Sequence, residues 1–239
     1  MIGLARFLVY ALALVPALLI AIPVHELGHA TAAYFLGDRS IRYFGYFTWN
    51  PRRFIDPLGA LAVFIALVGW GRRVPVQSNR IGTTGQKVVY ELAGPGANLV
   101  VGIVLGLLLR ALVAGGVTAN PVSFPGVLVV ILYATWFLNL SIFAFQLLPI
   151  PGLDGWEIVE ALFRNRNARF FFNVSMRRQQ IWIGAIVLIF VFQILQGANL
   201  LGIVMSPFYT PASLISVGSC IGYAIPGLTG LHPCLPLGA

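Results

Sequence analysis

His25, Glu26 and His29 stand in the run His25-Glu26-Leu27-Gly28-His29, inside a long apolar stretch. On a helix, residues i and i+4 share a face, so the two imidazoles can offer nitrogens to one zinc ion. Glu26 is then placed to take a proton from a water molecule there, acting as general base. The apolar surroundings strengthen this reading. Burying two imidazoles and a carboxylate costs several kcal/mol unless they are paired or bound.

Catalytic zinc usually has three protein ligands and one position left for water, so a third ligand must come from elsewhere. His232 is the remaining histidine and lies in a loose C-terminal tail. The chain has seven acids. Asp38 and Asp56 sit beside basic loops and read as solvated, and Glu157 and Glu160 fall on an amphipathic turn and read as facing water. Asp154 lies in LPIPGLDG (148–155), where Pro149, Pro151, Gly152 and Gly155 break the helix. Irregular backbone at membrane depth is tolerated only where it is buried in protein or lines a cavity, which favours Asp154. Glu91, near the start of a long apolar helix, is the competitor, and the residues alone leave both open. Cys220 and Cys234 form no metal cluster; they could pair if the tail faces an oxidising compartment.

These residues must be positioned by membrane helices. The chain is 59% hydrophobic and 9% charged, with a mean hydropathy of +0.89, whereas soluble domains carry about 25% charged residues. Helical segments are expected over 4–36, 86–114, 124–148 and 180–204, each long enough for a hydrocarbon core that takes roughly 20 residues. An amphipathic piece is expected over 156–163. The 58–70 run reads as a re-entrant or half-span segment, and 211–231 as a last span or an interfacial one. Arg6 before the first apolar stretch resembles a signal peptide, but no credible cleavage site follows, so that helix is expected to be retained. Aromatic and β-branched residues around Gly45 predict a short β-hairpin or edge strand over Ser40–Trp49.

The net charge of +8 does not indicate nucleic acid. Arg39, Arg42, Arg52 and Arg53, then Arg72, Arg73, Arg80 and Lys87, then Arg164, Arg166, Arg169, Arg177 and Arg178 lie between apolar segments, as cytoplasmic loops require. The uncharged 115–123 loop then falls outside.

The motifs PVHELGHA (23–30), FLGD (35–38), IDPLGAL (55–61), GWGRRVPV (69–76), LAGPGAN (92–98) and LLPIPGLDGW (147–156) resemble, in order, those of the site-2 protease family, the intramembrane zinc metalloproteases. The resemblance covers about Pro23 to Trp156. It implies His25, His29 and Asp154 as ligands of one zinc per chain, Glu26 as catalytic base, and a transmembrane protein as substrate. It also implies a three-helix catalytic core opening toward the cytoplasm, in a compact member without a PDZ domain. The chain departs from the family at Gln146, where Asn is common, and in reading GLDGW. Asn98 matches a polar position that faces the site and reads equally as a helix-packing contact; Asn139 reads as packing. Gln146, Asn98, Tyr46 and Phe47 are the candidate substrate contacts, the last two through strand pairing at Ile41–Thr48.

The expectation is thus an all-α multi-pass membrane protein with a three-helix catalytic core, further helices and a short membrane-associated β-hairpin. It forms one membrane-embedded domain over 1–239, with the core at about 4–156 and C-terminal helices at about 157–239. The alternatives are a catalytically silent membrane helix-binding protein and a metal transporter.

Overall fold

The computed structural model describes residues 2–77, 80–117, 123–196 and 199–218. The helices are α1 (Ile2–Phe35), α2 (Ser40–Tyr43), α3 (Pro51–Phe54), α4 (Pro57–Ala66), α5 (Thr84–Ala114) and α6 (Phe124–Gln146). They continue as α7 (Asp154–Phe163), α8 (Ala168–Met176), α9 (Arg178–Gln196) and α10 (Asn199–Val217). Among the described residues, α1, α5 and α6 are long and apolar enough to cross a membrane. Their ends follow local signals. Thr83 and Gln86 form a reciprocal capping box that starts α5, and Ser123 caps α6 ahead of Pro125.

The three long helices pack on one another, and α6 is the most enclosed. Close approach depends on small residues, as lipid-embedded helices require. A Cβ on Gly28 of α1 would lie 2.9 Å from the Ala97 Cβ of α5. Contacts pairing Ala21 and His25 with Asn98, and His29 with Tyr90, make α1 and α5 antiparallel. Pro16 and Pro23 lie inside α1 and Pro95 inside α5, yet all three prolines sit in uninterrupted helix. The α10 helix docks on α5 and α6, with Trp136 Nε1 donating to Ser216 Oγ at 3.1 Å.

Three expectations are corrected. The predicted hairpin over Ser40–Trp49 is absent: Ser40–Tyr43 is a helical turn, and Ile41 is buried in the core. The cause is Asp38, whose carboxylate accepts from the Ser40 amide and hydroxyl and turns the chain before a strand can extend. Among the described residues, the β-pairings are isolated bridges, Ile55 with Gly71 and Pro151 with Leu153. Secondly, Asp38 is fully buried rather than solvated, and it also accepts from the Gln77 amide at 2.8 Å. Asp56 likewise has a partner role, capping α4 through the Leu58 and Gly59 amides. Thirdly, Glu157 and Glu160 are largely covered and held by arginines: Glu157 by Arg73 and Arg178, Glu160 by Arg164. The helix expected over 180–204 falls on α9, which ends at Gln196, and on α10 from Asn199; residues 197–198 between them lie outside the described residues. The α4 helix, with ten residues, has the half-span length read from 58–70. His232, both cysteines and most of 211–231 lie outside the described residues.

Candidate active site

Two elements bring the site together. One is α1, which carries His25, Glu26 and His29 in its C-terminal half. The other is the broken stretch before α7. There Gly152 adopts a φ of +118°, a left-handed conformation that favours glycine. Gly155 lies so close to the preceding chain that a Cβ would come 2.6 Å from the Leu148 carbonyl oxygen. Between these glycines, Asp154 becomes the first residue of α7 and points back at α1.

Asp154 Oδ2 lies 3.0 Å from His25 Nε2 and 3.1 Å from His29 Nε2, and the two Nε2 atoms are 3.2 Å apart. All three residues are buried. Their protonation follows from the groups behind them. His29 Nδ1 donates to the Tyr90 carbonyl at 2.8 Å, which can only accept. His25 Nδ1 faces Asn98 Oδ1 at 2.8 Å. The Asn98 orientation is fixed because its Nδ2 donates to the Ala21 carbonyl at 2.9 Å and to Asn139 Oδ1 at 2.8 Å. Asn139 in turn donates to the Thr135 carbonyl at 2.7 Å. Each Nδ1 therefore carries the proton, and each Nε2 turns a lone pair toward Asp154. Three lone-pair atoms facing one point repel unless a proton or a metal cation lies among them.

The residues fit zinc. Two imidazoles and a carboxylate are a frequent catalytic donor set, and tetrahedral ligands about 2.0–2.1 Å from zinc stand about 3.3 Å apart, close to the separations here. Acceptors behind both imidazoles supply the outer contacts that such ligands need. The chain also makes room: a Cβ on Gly94 would sit 2.6 Å from His29 Cδ2 and 2.8 Å from its Cε1.

Glu26 is buried, and its Oε2 has no hydrogen-bond partner. Gly71 packs against it, and a Cβ there would come 2.9 Å from Glu26 Cγ and Cδ. A buried carboxylate oxygen left without a partner is costly in a purely structural role. Glu26 lines a cavity of about 550 Å³ together with His25, His29, Gln146, Asp154 and Trp70, with Arg73, Arg178 and Trp182 also in its wall.

The sequence-level candidates divide clearly. Among the described residues, His25, His29 and Asp154 form the one group found that could hold a metal ion, and Glu91 is not part of it. Glu91 instead lines a neighbouring cavity with Lys87 and Arg164. Gln146 lines the first cavity, and its amide is only loosely engaged, 3.5 Å from the Gly69 carbonyl. Asn98 is completely buried behind His25. Tyr46 packs on Phe54 and under Arg53, and Phe47 against Tyr34; neither lines the cavity. Sequence reasoning missed Tyr90, Gly94 and Gly71. The first two could have been found by stepping back from Asn98 in fours along α5, since 90, 94 and 98 share the face that meets His29 and His25. Gly71 carries no such periodic signal.

No family model matches the chain, and no solved structure matches it. Curated relatives do. The chain is 36% identical over 163 residues to "Putative zinc metalloprotease YwhC" of Bacillus subtilis, a match covering 66% of this chain and 74% of that protein. It is 37% identical over 150 residues to "Putative zinc metalloprotease Rip2" of Mycolicibacterium smegmatis, covering 59% and 54% respectively. For the Rip2 protein of Mycobacterium tuberculosis the identity is 34% over 158 residues, covering 63% and 57%. The match thus spans a little over half the length of the Rip2 proteins and about three quarters of YwhC. With the extent of the YwhC match and a His-His-Asp group suited to one ion, the chain belongs to the site-2 protease family of membrane zinc metalloproteases.

Proposed function

We propose that the protein hydrolyses peptide bonds in or near transmembrane segments of other membrane proteins, with His25, His29 and Asp154 holding one zinc and Glu26 as base. The observation that carries this is the convergence of three buried donors beside a buried carboxylate whose Oε2 has no partner. A silent helix-binding protein would have no use for an unpartnered Glu26, and a transporter would string its ligands along a path.

Zinc held by His25, His29 and Asp154 would supply Lewis acidity toward water and the scissile carbonyl. Glu26 takes a proton from the attacking water as the new C–O bond forms. It passes that proton to the amide nitrogen as the C–N bond breaks. His25, Glu26, His29 and Asp154 are all buried, so electrostatic terms weigh more there than they would in solution. Gln146, with its loosely held amide on the cavity wall, contacts the substrate backbone. Arg73 and Arg178 in the same wall belong to the basic loops, which supports an opening toward the cytoplasmic side.

The test is a Glu26→Gln variant with a transmembrane substrate reconstituted in lipid. Zinc content should stay at the wild-type level while cleavage falls roughly 10²- to 10⁴-fold. Substantial cleavage by that variant would refute Glu26 as the base.

A further inference from the structure

Arg73 sits where the catalytic cavity meets the neighbouring one and lines both. Its side chain is 45% exposed, while that of Asp154 is 4% exposed, so it reaches the carboxylate from the open side. One guanidinium nitrogen, Nη2, lies 3.2 Å from the Gly152 carbonyl and 3.3 Å from Asp154 Oδ1. The other, Nη1, lies 3.7 Å from Glu157 Oε1, which Arg178 also engages. The two oxygens of Asp154 therefore have different partners. Oδ2 faces the histidines, and Oδ1 faces Arg73.

We infer that Arg73 is a positioning residue that holds Asp154 to one-oxygen ligation of the metal. This rests on the zinc-site reading above. A carboxylate free to turn can present both oxygens and fill the position that a catalytic ion needs for water. Arg73 occupies Oδ1 with a charge-assisted hydrogen bond and ties the same nitrogen to the Gly152 carbonyl. That carbonyl belongs to the left-handed turn that delivers Asp154. Carboxylate and turn are thus fixed by one planar group. Glu157 and Arg178 extend the chain of pairs and keep the guanidinium from swinging into solvent. Lysine cannot reproduce this, because its ammonium is a point charge on a flexible stem without the planar fork.

The experiment compares wild type, Arg73→Gln and Arg73→Lys as purified full-length protein in detergent, titrated with Zn2+ against a chelator and with Co2+ followed by visible absorption. Thermal unfolding is recorded alongside. Loss of an outer contact to a ligand typically weakens metal binding by roughly 10- to 100-fold, and Arg73→Gln should do so with its unfolding temperature unchanged. Its cobalt spectrum should lose intensity, as expected when a four-coordinate ion gains a fifth ligand oxygen. Arg73→Lys should fall between the two, and it carries the test if Arg73→Gln does not fold. If the wild-type protein loads metal in a His25-dependent manner and the variants match it in affinity and spectrum, the Arg73 assignment is overturned. If the wild-type protein loads no metal, the zinc-site reading itself fails, and this inference with it.

Discussion

A single added methyl at Gly94 should weaken the metal site by displacing His29. Gly94 is on α5 where it crosses α1, and an ideal Cβ there would lie 2.6 Å from His29 Cδ2 and 2.8 Å from Cε1. Carbon atoms in contact sit at about 3.5–4.0 Å, so the overlap approaches 1 Å. His29 cannot retreat along its own helix, because Gly28 is already packed against Ala93 and Ala97. The ring must instead rotate, breaking its hydrogen bond to the Tyr90 carbonyl and moving Nε2 away from Asp154. No gain in helix propensity offsets this, because Gly94 precedes Pro95, and a Cβ there meets the proline ring. Losing one ligand from a site of four removes a share of the roughly 10–16 kcal/mol that a protein zinc site supplies, or about 3 kcal/mol. That corresponds to roughly a hundredfold in affinity. Gly94→Ala should therefore bind Zn2+ roughly a hundredfold more weakly in a chelator competition and lose cleavage. Wild-type affinity in Gly94→Ala would refute the placement of His29 against α5.

Further outcomes follow from neighbouring contacts. Gly71→Ala should push Glu26 from its place, since a Cβ would come 2.9 Å from its Cγ and Cδ; cleavage should drop by at least roughly a hundredfold with zinc retained, and unaltered cleavage would contradict it. Asn98→Ala removes the acceptor behind His25 and should weaken Zn2+ binding by roughly 10- to 100-fold in the same competition assay. Asp38→Ala removes the acceptor shared by the Ser40 amide, the Ser40 hydroxyl and the Gln77 amide, and should cost about 3 kcal/mol at neutral pH, read by thermal unfolding in detergent. Burial works against the Asp38 charge, but the hydrogen bonds from Ser40 and Gln77 outweigh it and lower its carboxyl below the ordinary value. Its stabilisation is therefore present above the unfolded-state pKa near about 3.9 and is lost as pH falls through the lower folded value. The gap between wild type and Asp38→Ala should close on acidification, and a constant gap would contradict the charged role.

The three long helices were legible because each carries an apolar run of spanning length; proline and glycine set Asp154 on broken backbone, but the residues alone left Glu91 open beside it. What stayed hidden depends on contacts between distant segments. Asp38 reads as solvated beside Arg39, yet the Gln77 amide reaches it from 39 positions away and seals it in the core. That same carboxylate turns the chain at Ser40, so an aromatic, β-branched stretch that favours a strand becomes a helical turn. Local propensity lost to one tertiary hydrogen-bond network. Asn98 posed the opposite difficulty. Its packing and site-facing readings are both correct in part, because it binds α1, α5 and α6 together through the same amide that orients His25.

The central claim is that His25, His29 and Asp154 hold one catalytic zinc. X-ray absorption at the zinc edge on the purified protein tests it most directly. The account predicts one zinc per chain in a nitrogen and oxygen shell at about 2.0–2.1 Å, with the outer-shell signature of two imidazoles, reduced to one imidazole in His29→Ala. A sulfur shell at about 2.3 Å, or a spectrum unchanged by His29→Ala, would contradict it.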